Sequence, residues 1–444
     1  LEPKNAGYHN TLANLYWEIA NWEKAIKEYT KAFELDNQPI YLCNLGRAYG
    51  NLGQWDNMIE HCQRAVDLRR KAPTDAFGLD YYYGFLAEAY FKADRLEEFE
   101  KLFEKSGDLK DEPDKKAVVY NQIGNFFFNT RKERESIPYY KRATELVPNV
   151  AVYHANLGGS FWALVQGDEA IKEYQEAVRL DFNNAEYYNR LGYLYFELRK
   201  YEESLSYYRK AIEINSSVAL YHANLGTSYG MLGEWEEAKK AYTKAFELDS
   251  QPIYLCNLGW TFGNLGQWDK MIEYCSKAID LRKKVSIDPY GLDYYYGFLA
   301  EGYFKAGRLV EFENTFEKSG DLKDEPIKKA VVYNRIGNLF FEALKNQAAK
   351  SYYENAISLA DNIAVYHGNL GLAYKALMQW DDAEAAFKRA ASLEPNNAIY
   401  QNDLGNVYFE RRNYEKAIPY YEKAIELDPN NQVYRENLEK CKKV

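Results

Sequence analysis

The sequence predicts an all-α array of stacked helical hairpins, and three regularities carry that prediction. The first is a recurrence at an offset of 213 residues: Gln38 to Gly46 (QPIYLCNLG) returns unchanged as Gln251 to Gly259, Gly78 to Glu88 as Gly291 to Glu301, and Glu104 to Pro113 as Glu317 to Pro326. The second is a shorter period inside each copy. The string N-L-G-x-x-[YF], or a close variant, recurs around Ala13, Gly46, Ala87, Gly124, Gly158 and Gly192, then Gly226, Gly259, Ala300, Gly337, Gly371 and Gly405. The spacings run 33, 41, 37, 34, 34 and 34. The third is a pair of small residues beyond most of these positions: an Ala twelve residues on (Ala25, Ala170, Ala238, Ala349, Ala383, Ala417) and another seven later (Ala32, Ala177, Ala245, Ala356, Ala390, Ala424). A period of 20 to 50 residues is the mark of a solenoid or array and overrides any count of domains from the length of 444.

Taken in order, each unit reads as a first helix carrying the N-L-G string, a tight turn, and a second helix carrying the alanines. Trp22, Trp55, Trp235, Trp268 and Trp380 open second helices after short turns, so they read as packing wedges. The organisation expected is a first six-unit copy over 1–213, a second over 214–426, and a capping helix over 427–444 with polar Glu439 and Lys440 where a small residue would stand. Two connectors break the 34-residue period in each copy: Leu68 to Gly78 with Leu281 to Gly291, and Ser106 to Pro113 with Ser319 to Pro326. They should lengthen a helix or add a loop. Phe99, Phe103, Phe312 and Phe316 replace the small residues expected in the second helix of each third unit, which makes those units the least regular and the expected first to open. Leu1-Glu2-Pro3 matches the tail of a unit, so the chain is expected to be cut from a longer array.

Composition excludes several partners. Lys plus Arg number 56 against 66 Asp plus Glu, a formal charge of −10, which disfavours a phosphate polyanion such as nucleic acid. No window approaches the apolar length of a membrane span. Five Cys are too few for a disulfide framework and read as reduced thiols of a cytoplasmic protein. The 42 Tyr, against 4 Met, imply an aromatic slot repeated along the chain.

No catalytic, metal or cofactor site is expected. His9, His154, His222 and His367 share a slot that Tyr120, Tyr188, Tyr296 and Tyr333 fill elsewhere, which is a packing position with a polar tip rather than a ligand set. Cys43 with Cys62, and Cys256 with Cys275, face each other across a hairpin without C-x-x-C spacing. Gly50-Asn51-Leu52-Gly53 and Gly263-Asn264-Leu265-Gly266 lack the G-K-[ST] of a phosphate loop and read as turns. No strand exists on which to mount a nucleophile elbow.

This pattern resembles the tetratricopeptide repeat, over nearly the whole chain. The resemblance implies a right-handed superhelical α-solenoid whose first helices line a concave groove, and a scaffold that holds a partner peptide or protein there. The residue two before the small one then faces the groove: Asn44, Asn156, Asn224, Asn257 and Asn369, with Phe85, Phe298, Arg190 and Arg335 at the same slot. An amide both donates and accepts, so a ladder of them can grip a peptide backbone. Trp17, Trp162 and Trp260 are the expected anchors, because their equivalents in the other copy are Gly230, Lys375 and Arg47, and an obligatory core slot would not accept such different residues. The clamp that grips the carboxylate tail of heat-shock chaperones is rejected for units four to six. They supply Asn125, Asn156 and Arg190, but Asn121 and Glu186 stand where Lys is required. Two other readings stay open: a regulatory or substrate-presenting segment of a larger enzyme, and a self-assembling scaffold whose groove or ends bind another copy.

Overall fold

The computed structural model describes residues 4–71, 76–285 and 289–443, all helices and turns among those residues. Two compact units divide the chain at 216/217. In the first, six hairpins follow one another: α1 (Ala6–Glu18) with α2 (Trp22–Leu35), α3 (Pro39–Asn51) with α4 (Trp55–Lys71), α5 (Leu79–Lys92) with α6 (Leu96–Ser106), α7 (Pro113–Asn129) with α8 (Glu133–Leu146), α9 (Ala151–Ala163) with α10 (Gly167–Leu180), and α11 (Ala185–Glu197) with α12 (Tyr201–Ile214). The second unit opens with α13 (Ala219–Met231), α14 (Trp235–Leu248), α15 (Pro252–Asn264), α16 (Trp268–Arg282), α17 (Leu292–Lys305) and α18 (Leu309–Ser319). It continues through α19 (Pro326–Glu342), α20 (Asn346–Leu359), α21 (Ala364–Ala376), α22 (Trp380–Leu393), α23 (Ala398–Glu410) and α24 (Tyr414–Leu427), and closes with α25 (Gln432–Lys443). Within each unit a helix packs on its hairpin partner and on the next hairpin, the nearest-neighbour contact pattern of a solenoid.

The small residue of each first helix seats a side chain sixteen positions later. A Cβ at Gly124 would stand 2.6 Å from the Tyr140 ring, and one at Gly192 the same distance from Tyr208. Gly337 meets Tyr353, Gly371 meets Phe387 and Gly405 meets Tyr421 in the same way. The glycine is therefore small to receive a ring, not to let two backbones touch. At Gly46 and Gly259, where Cys62 and Cys275 take the ring's place, the second helix also brings a backbone carbonyl to 3.1 and 3.2 Å, and at Gly158 the Ala170 carbonyl comes to 3.3 Å beside the Tyr174 ring. This joint takes seven of the 42 tyrosines: Tyr29, Tyr140, Tyr174, Tyr208, Tyr242, Tyr353 and Tyr421 are all buried in it.

The turn inside each hairpin places one residue in the left-handed region. Gly53, Gly233, Gly266 and Gly307 fill it without strain, but Val165 (φ 61), Leu344 (φ 57) and Met378 (φ 58) also stand there with their side chains in solvent. A β-branched residue in this region is an outlier.

The irregular connectors are partly helix: α4 runs 17 residues and α7 and α19 each 17, against 13 or 14 for regular elements. Residues 72–75 and 286–288 of the first connectors lie outside the described residues. In each third hairpin the second helix is only 11 residues, and the first packs onto the following hairpin as well. Phe99 and Phe103 are nevertheless fully buried, stacked on one another with centroids 5.5 Å apart, and join a core running from Leu42 to Tyr153. Phe312 and Phe316 do the same at 5.4 Å. The aromatic pair replaces small-residue contact with ring contact, and so joins each third hairpin to an extended core among the described residues although its two helices touch less than those of the other hairpins. At the end, α25 packs on α24 through buried Tyr434 and Cys441.

Candidate functional site

A cleft of about 480 Å³ lies across α7, α9 and α11. Asn125, Asn156, Trp162, Arg190 and Tyr193 line it, with Glu186 at its edge and Tyr140 and Tyr174 beneath. Gly159 leaves room in the floor, since nothing comes nearer than the Tyr174 hydroxyl at 3.5 Å from a Cβ there. Burial pushes the Tyr140 and Tyr174 phenols up, so both stay protonated donors.

The amides of this cleft are tied together. Asn156 Nδ2 donates to Asn121 Oδ1 at 2.8 Å and more weakly to Asn125 Oδ1 at 3.4 Å, while the Tyr140 hydroxyl donates to Asn125 Oδ1 at 2.8 Å. The second unit repeats the arrangement: Asn369 donates to Asn334 at 2.9 Å and Asn338 at 3.3 Å, and Tyr353 to Asn338 at 2.8 Å. Asn44 donates to Asn10 at 3.3 Å, and Asn437 on α25 to Asn402 at 2.9 Å. Asn224 and Asn257 hold the equivalent positions on α13 and α15, half-buried like the others. The asparagines expected to form a ladder are thus tied to the neighbouring repeat where their bonds are described. Each bonded amide bridges two helices through its nitrogen.

Among the expected anchors, Trp162 lines the cleft with its ring edge-on to Tyr193 at 5.6 Å. Trp17 and Trp260 are a different case. Trp17 sits edge-on to Trp22 at 4.9 Å, and Trp260 sits edge-on to Trp235 at 4.9 Å. A Cβ at Gly230, the position of Trp17 in the second copy, would meet the rings of both Trp235 and Trp260 at 3.2 Å. The indole that fills this slot thus comes from the first hairpin in one copy and from the next hairpin in the other. Tolerance of Trp, Gly and Arg at these positions follows an exchange between neighbours.

Phe298 is covered by the Arg335 guanidinium at 4.0 Å, and Arg335 pairs with Glu301 at 3.1 Å. Phe85 is covered by Arg47 at 4.5 Å. Arg190 is exposed and pairs with Glu186 at 2.7 Å on its own helix. That pair neutralises the one cation of the cleft. Sequence reasoning placed Asn121 and Asn125 only as clamp positions and missed Tyr140 and the bonds that join the three to Asn156; the Gly-Asn pairs at 124–125, 337–338 and 405–406 were the available signal.

The shared His slot is polar and satisfied where its bonds are described. His9 Nδ1 lies 2.6 Å from Glu28 and His154 Nδ1 2.7 Å from Glu173, and His154 Nε2 lies 3.0 Å from the Pro148 carbonyl. The Glu173 bond raises the His154 pKa. No group of three or more His, Cys, Asp or Glu among the described residues is placed to hold a metal, and no helix among them is long and apolar enough to cross a membrane.

Models described as tetratricopeptide repeat match residues 6–39, 40–71, 117–149, 183–251, 253–285 and 369–432, and one described as TPR repeat matches 166–199. The chain belongs to the tetratricopeptide repeat family. It is 38% identical over 76 residues to a Hsp70-Hsp90 organizing protein of Triticum aestivum and 35% identical over 63 residues to Hsp70-Hsp90 organizing protein 3 of Arabidopsis thaliana. Those matches span 17% and 14% of this chain but only 12% and 11% of the relatives. Among solved structures, yeast Tom70 aligns over 99% of this tetratricopeptide chain and 95% of its own at 14% identity and a TM-score of 0.46. MamA aligns over 36% of this chain and 95% of its own at 24% identity and a TM-score of 0.35.

Proposed function

We propose that this tetratricopeptide protein is a scaffold that grips an extended peptide segment of a partner protein across α7, α9 and α11. The observation that carries the reading is the cleft itself, in which Asn156 presents its amide between an aromatic wall (Trp162, Tyr193) and a compensated charge pair (Glu186, Arg190). The bonded asparagines supply acceptors for peptide N–H groups in a fixed row, and Trp162 offers a face for one apolar side chain. Neutralisation of Arg190 by Glu186, together with Asn121 in place of a lysine, argues against a chaperone carboxylate tail as the ligand, despite the organizing-protein relatives. The six-repeat copies are proposed as the functional halves, 1–213 and 214–426, with 427–444 as cap, in the cytoplasm and without a catalytic role.

The test is recovery of partners from a cytosolic extract by the full chain and by Asn156→Ala with Trp162→Ala. Loss of one net hydrogen bond, at about 1 kcal/mol, and of one aromatic anchor, at about 2 kcal/mol, predicts on the order of a hundredfold weaker capture. Partners retained in full by the double variant, with helicity unchanged, overturn the cleft as the working surface and leave self-association or a role inside a larger enzyme as the readings to test.

A further inference from the structure

A second, smaller cleft of about 230 Å³ lies across α1, α3 and α5, lined by Trp17, Arg47, Trp55, Met58, Glu88 and Lys92 among others. Its chemistry differs from its equivalent in the second unit at two lining positions, Trp17 for Gly230 and Arg47 for Trp260. The Arg47 guanidinium lies over two rings, 4.9 Å from the centre of Trp17 and 4.5 Å from that of Phe85. Among the described residues its nitrogens make no hydrogen bond and meet no carboxylate within 4 Å. Glu88 faces the same cleft and likewise has no ion-pair or hydrogen-bond partner for its carboxyl.

The second unit shows what a closed version looks like. There Glu301, the counterpart of Glu88, is paired with Arg335 at 3.1 Å. In the first unit the position of Arg335 is Gln122, whose Oε1 is buried without a partner. A donor and an acceptor of opposite charge are thus held apart on one wall by aromatic packing. Burial raises the Glu88 carboxyl above its ordinary value, with Arg47 and Lys92 pulling the other way.

We propose that this cleft is a separate recognition site for an amide group, whose oxygen accepts from Arg47 while its N–H donates to Glu88. A carboxylate would satisfy Arg47 and be repelled by Glu88; an ammonium would do the reverse. An amide suits both, whether it is the carboxamide of an Asn or Gln side chain or a peptide unit of the partner's backbone. The assignment rests on the reading that first-helix faces bind the partner. It is tested here with fragments that need no partner, so its failure leaves the capture experiment on Asn156 and Trp162 standing.

The full chain, labelled with ¹⁵N, is titrated with propionamide, N-methylacetamide, propionate and propylammonium while the indole N–H signals of Trp17 and Trp55 are followed. Trp260 and Trp268 of the second unit serve as internal reference for bulk effects. The expected result is a saturable shift with an amide and about tenfold weaker response to both ions, one charge-assisted hydrogen bond being replaced by repulsion. Propionamide stronger than N-methylacetamide assigns a side-chain carboxamide; the reverse assigns backbone. Gln122→Arg should pair with Glu88 as Arg335 pairs with Glu301 and abolish the response without altering a lining residue, and Glu88→Leu should do so by removing the acceptor. An ion that binds as well as the amides, shifts shared equally by Trp260 and Trp268, or an undiminished response in both variants overturns the proposal.

Discussion

Exchanging Gly230 and Trp260 for the residues of the first copy tests the indole exchange directly. Gly230→Trp alone forces a second indole into space where even a Cβ lies 3.2 Å from two rings, an overpacking cost of about 1–3 kcal/mol. Trp260→Arg alone removes the ring that lies edge-on to Trp235 at 4.9 Å, forfeiting about 0.5–1.5 kcal/mol of aromatic pairing besides the burial. Together they rebuild the arrangement in which Trp17 meets Trp22 at 4.9 Å and Arg47 covers Trp17 at 4.9 Å. The double variant should return to within about 1 kcal/mol of the parent, giving a favourable coupling of about 2 kcal/mol, in the range seen for residues sharing one cavity. Because an array of repeats does not unfold as one unit, the readout is amide hydrogen exchange of α13 to α16 rather than a global melt. Losses that simply add in the double variant would refute the exchange and restore Trp17 and Trp260 as free anchors.

Four further outcomes follow from the geometry. Val165→Gly relieves φ 61 at a side chain 86% exposed and should stabilise its hairpin by about 0.5–1 kcal/mol; a lower denaturation midpoint would contradict the strain. The His154 pKa is raised by Glu173, so the stability of that contact is fully present below the unfolded value and fades as pH rises through the folded one. His61, lowered chiefly by burial, behaves oppositely and loses stability as pH falls; proton NMR titration of the two rings should show His154 above and His61 below the ordinary value. All five thiols should resist a thiol reagent until denaturation and then all react, since each is buried and none is in a disulfide, and fewer than five in denaturant without reductant would disprove it. Amides of α5 and α17 should exchange among the slowest in their units, because the Phe99/Phe103 and Phe312/Phe316 stacks lie in extended cores.

The helical hairpins, their number and their turns were legible because small residues at fixed spacing leave few other ways to pack. The reason for the small residue was not. Gly124 and Tyr140 are sixteen apart, a distance that belongs to the hairpin and not to either helix, and each position taken alone shows only glycine or tyrosine. The same blindness misread Trp17 and Trp260: compared singly across copies they look unconstrained, whereas the constraint acts on the neighbouring pair. For the candidate cleft, the row of asparagines was visible, but its cross-linking was not, because the partners Asn121 and Asn334 lie one repeat away. Phe99 and Phe103 were read as defects since replacement of a small residue by a ring cannot reveal from sequence whether the ring finds a pocket.

The tyrosine hydroxyls of the glycine joints reach through to the first helices, where Tyr29 holds Asn14 at 2.7 Å, Tyr140 holds Asn125 at 2.8 Å and Tyr421 holds Asn406 at 3.0 Å. In the hairpins with Phe103, Phe316 or Phe387 at this joint no hydroxyl exists to do so. A held amide has already surrendered its rotamer freedom during folding, while a free one surrenders about 0.5–1.5 kcal/mol when a ligand arrives. Chemically similar positions along each unit therefore differ in how much disorder a ligand must remove, and evolution can grade that difference by one oxygen atom, Tyr against Phe.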